Sequence, residues 1–139
     1  MPLAKQNRIV HDKDIKKTYL ARFKSRNEMF FTYLRPNIVD RFELLIVVSK
    51  KVFKKANLRN RIKRKISAVF IDLHTKKRLP SNISTIIQIK SPKLILLSTE
   101  ELKKVLIEEV SKLYTLSVQK SQILDKNPRL SRKYSQIQV

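Results

Sequence analysis

Cysteine and glycine are both absent from this sequence, and each absence removes a class of function. Without cysteine there are no disulfides, no thiolate ligands for zinc and no thiol nucleophile, and the interior of a reducing cell suits such a chain. Without glycine there is no glycine-rich phosphate loop and no dinucleotide-binding motif, so nucleotide-dependent chemistry loses its usual structural support. Turns are expected to rely on Asn, Asp, Ser and Pro.

Long apolar runs and acidic residues are also scarce. No run reaches the roughly 18 residues of a membrane-spanning helix, and the N-terminus lacks the apolar stretch of a secretory signal. We therefore predict a cytoplasmic protein that has no membrane partner. Lysine and arginine number 32 against 11 acidic residues, which gives a formal net charge of +21 and predicts a polyanionic partner. With 42% hydrophobic residues the chain can still form one core.

The order of predicted elements is helix, strand, strand, helix, strand, helix. A basic arm over residues 1–11, expected to become ordered only by docking on another molecule, precedes a first helix that begins near Asp12. Apolar runs predict strands over 29–34 and 41–49, the second of them central in the sheet because it is almost continuously apolar.

The second half of the chain contains two more helices and a strand. Helical periodicity predicts a long amphipathic helix from Asn57, and β-branched residues predict a strand over 83–89. Ser98 and Glu101 form a capping box that starts the last helix, which is expected to end near Tyr114. The elements predict an α+β fold, a compact sandwich of helices on a small central sheet. We predict one RNA-binding domain over 1–116 and a basic tail over 117–139.

Basic residues crowd the end of the second strand and the start of the long helix, and no acidic residue lies between Glu43 and Asp72. Helical spacing places Asn60, Lys63, Arg64 and Ser67 on the outward side. A charged but merely solvated helix usually mixes Glu with Lys, so nucleic-acid binding is favoured over that alternative. The candidate RNA-binding residues are Lys50, Lys51, Arg59, Asn60, Arg61, Lys63, Arg64 and Lys65.

Three aromatic residues form a second candidate group. Phe31 and Tyr33 are two positions apart and share one face of the first strand, and Tyr19 of the first helix could join them. Such a group can stack single-stranded bases, although strand aromatics are more often part of the core. The residues alone favour the core interpretation.

Catalytic groups are hard to find. His11 and His74 have no metal-ligand spacing and are interpreted as surface or capping residues, and Asp12 and Asp14 fit a helix start. The acidic residues of the last helix are expected on its exposed side. We therefore predict no bond cleavage by the protein's own side chains and no metal site in the protein.

One pattern of residues is similar to a known family. The segment Val47-Val48-Ser49-Lys50-Lys51-Val52, followed by Arg59-Asn60-Arg61-Ile62-Lys63-Arg64, resembles the protein subunit of bacterial ribonuclease P. Asn7-Arg8-Ile9 and the segment from Asp14 to Tyr19 resemble that family's arm and first helix. The resemblance spans about residues 5–115.

The resemblance implies a ribonucleoprotein that removes the 5′ leader of precursor tRNA. It implies that Mg²⁺ is held mainly by the catalytic RNA, that the partners are this RNA and precursor tRNA, and that no protein partner is obligatory. It places the basic helix on the catalytic RNA and the leader in a cleft formed by Tyr19, Phe31 and Tyr33. It also implies a left-handed β-α-β crossover, against the usual right-handed rule.

The sequence departs from the family pattern at three places, and three other functions remain open. Ile15 replaces an aromatic, Ser67 replaces an arginine, and the loop over residues 53–56 is longer and lacks glycine. A structural RNA-binding protein such as a ribosomal component explains the basic helix well, but it requires neither the aromatic cleft nor the pairing of the two motifs. An independent nuclease needs carboxylates or a histidine pair that we cannot locate, and a binder of anionic membranes needs a free apolar helix face.

Overall fold

The computed structural model describes residues 7–9, 11–21, 23–37 and 41–126, with side chains up to 119. The helices and strands are α1 (Asp12–Leu20), β1 (Phe23–Arg26), β2 (Phe30–Pro36), β3 (Glu43–Val48), α2 (Ala56–Thr75), β4 (Ile83–Ile89), a short 3₁₀ helix (Pro92–Leu96) and α3 (Thr99–Lys126). No helix in this described part is long and apolar enough to cross a membrane.

The four strands form one mixed sheet in the order β1-β2-β4-β3. β2 pairs antiparallel with both β1 and β4, whereas β3 and β4 are parallel neighbours joined through α2. Parallel neighbours require a crossover connection, and α2 supplies it. The predicted α+β sandwich is confirmed, and the handedness of this crossover stays a prediction.

The core lies between one face of the sheet and the helices α2 and α3. Along β2, Phe30, Thr32 and Leu34 are buried on this face because side chains alternate in a strand. α2 contributes the predicted apolar stripe, which consists of Ile62, Ile66, Val69, Phe70 and Leu73. α1 packs against the opposite face over β2 and β4, where Ile86 is fully buried. Helices therefore cover both faces of the sheet, and the larger core is on the side of α2 and α3.

The structure corrects four predictions about the elements. The strand over 41–49 was predicted to be central in the sheet, but β3 lies at its edge beside β4, and its apolar run instead reflects burial of Leu44 and Ile46 in the core. β1 was missed, because a strand of only four residues gives too short an alternation to recognise. The predicted end of the last helix is wrong, since α3 continues past Tyr114 to Lys126 and buries Ser117. The part of the predicted arm that is described, residues 7–9, docks on the domain itself, where Asn7 Nδ2 donates to the Phe42 carbonyl at 2.7 Å. Residues 1–6 and 127–139 lie outside the described residues.

Candidate nucleic-acid interface

The predicted basic helix presents its charged side chains to solvent. Asn60, Arg61, Lys63 and Arg64 are all exposed near the start of α2, which has no acidic residue in its first turn. Lys50 and Lys51 are exposed in the turn that follows β3. Within the described chain, every ion pair lies elsewhere and involves Asp72 or Glu100. The cations of this surface, which we call the α2 basic surface, are therefore not neutralised by described carboxylates.

Two predicted RNA-binding residues instead form hydrogen bonds within the protein. Arg59 is half-buried and its Nη1 donates to the carbonyls of Phe53 and Lys54 at 2.8 and 2.9 Å. Lys65 is half-buried and its Nζ donates to the Leu97 carbonyl in the connection that leads to α3. These two cations hold loops in place, and any contact of theirs with RNA is an additional role.

The glycine-free loop before α2 is stabilised by burial and by Arg59. Phe53 is only 6% exposed, and the Ser49 carbonyl accepts hydrogen bonds from the amides of Val52 and Phe53. No described residue of this loop has a positive φ, so glycine is not needed there. Ser67, by contrast, was wrongly predicted on the outward side. It is 7% exposed, because its short side chain lies at the edge of the buried stripe of α2.

The three predicted aromatic residues lie on the sheet face that α1 covers. Phe31 and Tyr33 alternate with the buried core residues of β2, and the Tyr19 and Tyr33 rings meet edge to face with centroids 4.7 Å apart. Burial, followed by the neighbouring Tyr33, raises the pKa of Tyr19. The Tyr19 phenol therefore stays neutral and can donate a hydrogen bond at physiological pH. All three rings are half-buried, so they are not core residues.

Polar contacts fix the position of α1 and hence of Tyr19. Thr18 is fully buried, and its Oγ1 donates to the Asp14 carbonyl at 2.9 Å within the helix. The same Oγ1 accepts from Arg35 Nε of β2 at 3.4 Å. The helix is thus attached to the strand that bears Phe31 and Tyr33.

Cations that the sequence analysis missed lie beside these aromatics. The register of β1 places Lys24 opposite Tyr33 and Arg26 opposite Phe31, and Lys90 Nζ lies 4.9 Å from the centre of the Phe31 ring. A pocket of about 390 Å³ is lined by Lys24, Ser25, Arg26, Phe31 and Tyr33. We call this surface the sheet cleft. Its signal in the sequence is the alternation Phe23-Lys24-Ser25-Arg26, which was too short to be recognised as a strand.

The two histidines lie in different environments. His11 is exposed at the N-cap of α1, as predicted, although Asp12 was expected in the cap position. The prediction of a surface role for His74 is wrong, because its ring stacks on Phe42 with centroids 3.9 Å apart and is tilted against Phe70. Within the described residues no three His, Asp or Glu side chains are grouped so that they could hold a metal ion.

Comparison with known proteins gives a consistent result. A protein-family model described as Ribonuclease P matches residues 3–114. The structure of the Staphylococcus aureus RNase P protein is similar with a TM-score of 0.61 and 30% identity, over 78% of this chain and 94% of that one. The RNase P protein from Thermotoga maritima, at 23% identity, shares the fold with a TM-score of 0.65 over 76% and 96% of the two chains. Comparison with curated proteins gave no match.

Proposed function

Because this chain belongs to the family of bacterial ribonuclease P protein components, we propose that it binds the catalytic RNA and the 5′ leader of precursor tRNA. In this role it promotes endonucleolytic removal of the leader in the cytoplasm. The hydrolytic chemistry belongs to the RNA and to Mg²⁺ ions that the RNA holds, and the protein's own side chains cleave no bond. The catalytic RNA and precursor tRNA are its partners, and no protein partner is required.

The observation that carries this proposal is the presence of two cationic surfaces on opposite sides of the sheet. The α2 basic surface belongs to a helix that packs on the core face, whereas the sheet cleft lies on the face that α1 covers. A protein with two such surfaces can contact two RNA segments at once. We assign the α2 basic surface, which includes Lys50 and Lys51, to the catalytic RNA. Its cations are exposed and form no ion pairs with described carboxylates, and the surface contains no aromatic residue.

We assign the sheet cleft to the single-stranded leader. Aromatic rings stack on bases of any sequence, and neighbouring cations contact the phosphates. In this cleft Phe31 and Tyr33 offer the rings, while Lys24 and Arg26 stand directly opposite them across the β1–β2 pair. Tyr19 supports Tyr33 from the side. The protein thereby lowers the repulsion between the phosphates of two RNAs and holds the leader near the catalytic RNA.

Cleavage at low magnesium tests the function directly. A bacterial ribonuclease P RNA and a precursor tRNA are mixed at a magnesium concentration that supports little cleavage by the RNA alone, with and without this protein. We expect the protein to increase the rate of leader removal, because its cations replace part of the counterion requirement. Binding of both RNAs without any increase in cleavage would favour a structural RNA-binding protein instead.

Substitutions in the sheet cleft test the assignment of the leader. Y33A should weaken binding of leader-bearing precursor tRNA by about 1–3 kcal/mol relative to mature tRNA, since one stacking surface is lost. Y33F keeps the ring and serves as the matched control, and Y19A should act in the same direction as Y33A. The measurement is the affinity ratio between precursor and mature tRNA. An unchanged ratio in both alanine variants would contradict the assignment of the cleft.

A further inference from the structure

A second basic site lies at the other end of α2. A pocket of about 670 Å³ is lined by residues at the end of this helix, by the connection to β4 and by Tyr114 of α3. Lys77 and Arg78 are exposed at its rim, and the partly buried Tyr114 packs against the hydrophobic core. Neither the α2 basic surface nor the sheet cleft includes any of these residues.

The backbone at this rim adopts a conformation that favours glycine. Lys77 has a φ of 57° and is the only described residue with a positive value. The Arg78 amide donates to the Leu73 carbonyl, and the Lys77 amide donates to the His74 carbonyl. This is the hydrogen-bond pattern of a Schellman motif, in which the left-handed position is usually glycine. A lysine is held there at a cost in conformational energy, and this lysine lines the pocket.

The charge at this pocket is also unneutralised. None of its described lining residues is acidic. The nearby Asp72 is already paired with Lys76 at 3.3 Å and with Lys103 at 3.0 Å. Two cations, two aromatic residues (Tyr114 and His74) and Asn82 therefore line one concave surface. Cations together with aromatic rings are groups that bind nucleotides of single-stranded RNA.

Distance separates this pocket from the α2 basic surface. Lys77 follows Arg64 by thirteen positions in the chain, which is about 20 Å along a helix axis. The exposed positions between them are Ala68, Thr75 and Lys76, and Lys76 is paired with Asp72 at 3.3 Å. One phosphate group cannot contact both ends of α2, so the two ends need separate phosphates.

We propose that this pocket binds one nucleotide of a single-stranded RNA segment, with its phosphate on Lys77 and Arg78 and its base against Tyr114. The inference rests on the proposed function for the identity of the RNA, and it adds a third contact to that function. The segment belongs either to the catalytic RNA or to the precursor tRNA, because both have the same phosphate and base chemistry. Occupation of both ends of α2 would orient the protein on its RNA, since two linked contacts bind more tightly than either alone.

The test compares the full-length protein with the double variant K77G/R78Q. Glycine suits the left-handed position, so this variant should keep the fold, and its melting temperature is measured first. A bacterial ribonuclease P RNA and a precursor tRNA are titrated separately at 50 to 200 mM KCl. K104Q/K112Q is the matched control, because it removes the same charge from exposed positions of α3 among glutamates.

We expect K77G/R78Q to bind one of the two RNAs more weakly and with a salt dependence shallower by about two in logarithmic slope, because two phosphate contacts are lost. The control should keep the slope of the original protein. The RNA that shows the change identifies the source of the bound segment. Y114L should weaken binding of that RNA as well, whereas Y114F should not.

Three outcomes would overturn the inference, and they are distinguishable. Unchanged slopes for both RNAs in K77G/R78Q would remove the pocket as a contact while leaving the proposed function intact. Equal binding by Y114L and Y114F would exclude a base in the pocket. Failure of the original protein to bind either RNA would overturn the proposed function and this inference together.

Discussion

Cations that look equivalent in the sequence have different environments in the fold. Arg59 and Arg64 both lie in the basic segment, yet Arg59 donates to two loop carbonyls while Arg64 is exposed. The clustering of charge was visible in the sequence because it needs only composition and spacing. The path of a loop decides which cation donates a hydrogen bond to its carbonyls, and no local sequence pattern encodes that path. Ser67 was misassigned for a related reason. Its position on a helical projection does not show how far the longer neighbouring side chains extend over it.

His74 shows the same limit for an ionisable residue. An isolated histidine near a helix end suggested a surface role, but Phe42 lies far away in the sequence and stacks on its ring at 3.9 Å. Burial lowers the pKa of His74 from its ordinary 6.5 to about 4. The imidazole is therefore neutral in the folded protein at physiological pH, and its buried Nε2 has no hydrogen-bond partner among the residues that the structure describes.

We expect this residue to make stability depend on pH. Between pH 6.5 and about 4 the unfolded chain binds a proton at His74 and the folded chain does not, so acidification through this window favours unfolding. The loss should be about 1–2 kcal/mol, reduced from the full shift because the ring is partly exposed and solvent screens its charge. Below pH 4 this contribution levels off.

The variant H74F checks this expectation because it keeps an aromatic ring against Phe42 and cannot bind the proton. Free energies of unfolding are measured in urea at pH 7.5 and at pH 4.5 for both proteins. The original protein should lose about 1–2 kcal/mol more than H74F between the two values. Equal losses would show that His74 does not contribute to the acid sensitivity.

At the scale of elements, long segments with a clear hydrophobic periodicity were predicted correctly. The four-residue strand β1 and the continuation of α3 past Tyr114 were not. α2, β2, β3 and β4 each carry enough apolar residues to fix their type, since side-chain periodicity reports burial over several turns or pleats. β1 has four residues, and it is stabilised by pairing with β2 and by the hydrogen bond of Ser25 to Glu109 of α3. β2 follows after only three residues, but Glu109 is 84 positions away in the sequence. The sheet cleft was therefore predicted with its aromatics but without its β1 cations.

The start of α3 was predicted correctly from the capping box. Ser98 Oγ accepts from the Glu101 amide at 3.2 Å and donates to the Glu101 carboxylate at 3.1 Å. We expect S98A to lower the free energy of unfolding by about 1 kcal/mol, because an amide of the first turn loses its acceptor and Ser98 is exposed, so little packing is lost.

Urea unfolding of S98A and of S98D measures this contribution. S98D supplies another oxygen acceptor and a negative charge that suits a helix N-terminus, so it should remain close to the original stability. The dependence of the free energy on urea should be the same in all three proteins, because the buried surface does not change. If S98A were as stable as S98D, the cap would not contribute to the stability of α3.

At the scale of the whole molecule, the excess of positive charge acts on stability and on binding in opposite ways. The chain has a formal net charge of +21 on 139 residues, so its excess lysine and arginine side chains repel one another in the compact state. The described part of the chain contains few ion pairs to offset this repulsion, and those found share Asp72 or Glu100. In the proposed function, an RNA partner supplies the missing negative charge. Dissolved salt can replace it only partly, by screening over about 8–10 Å at 0.10 to 0.15 M.

Salt should therefore stabilise the free protein while it weakens the complex with RNA. Between 50 and 300 mM NaCl we expect the melting temperature of the free protein to rise by about 3–6 °C, since screening removes roughly 1–2 kcal/mol of self-repulsion. Over 50 to 200 mM, affinity for the catalytic RNA should fall by about 10³–10⁵ if six to ten phosphates are contacted. Thermal unfolding and binding titrations in the same buffers measure both effects. A melting temperature that stays constant or falls with salt would show that self-repulsion does not limit stability, and the opposite signs expected for folding and binding would then not share one electrostatic cause.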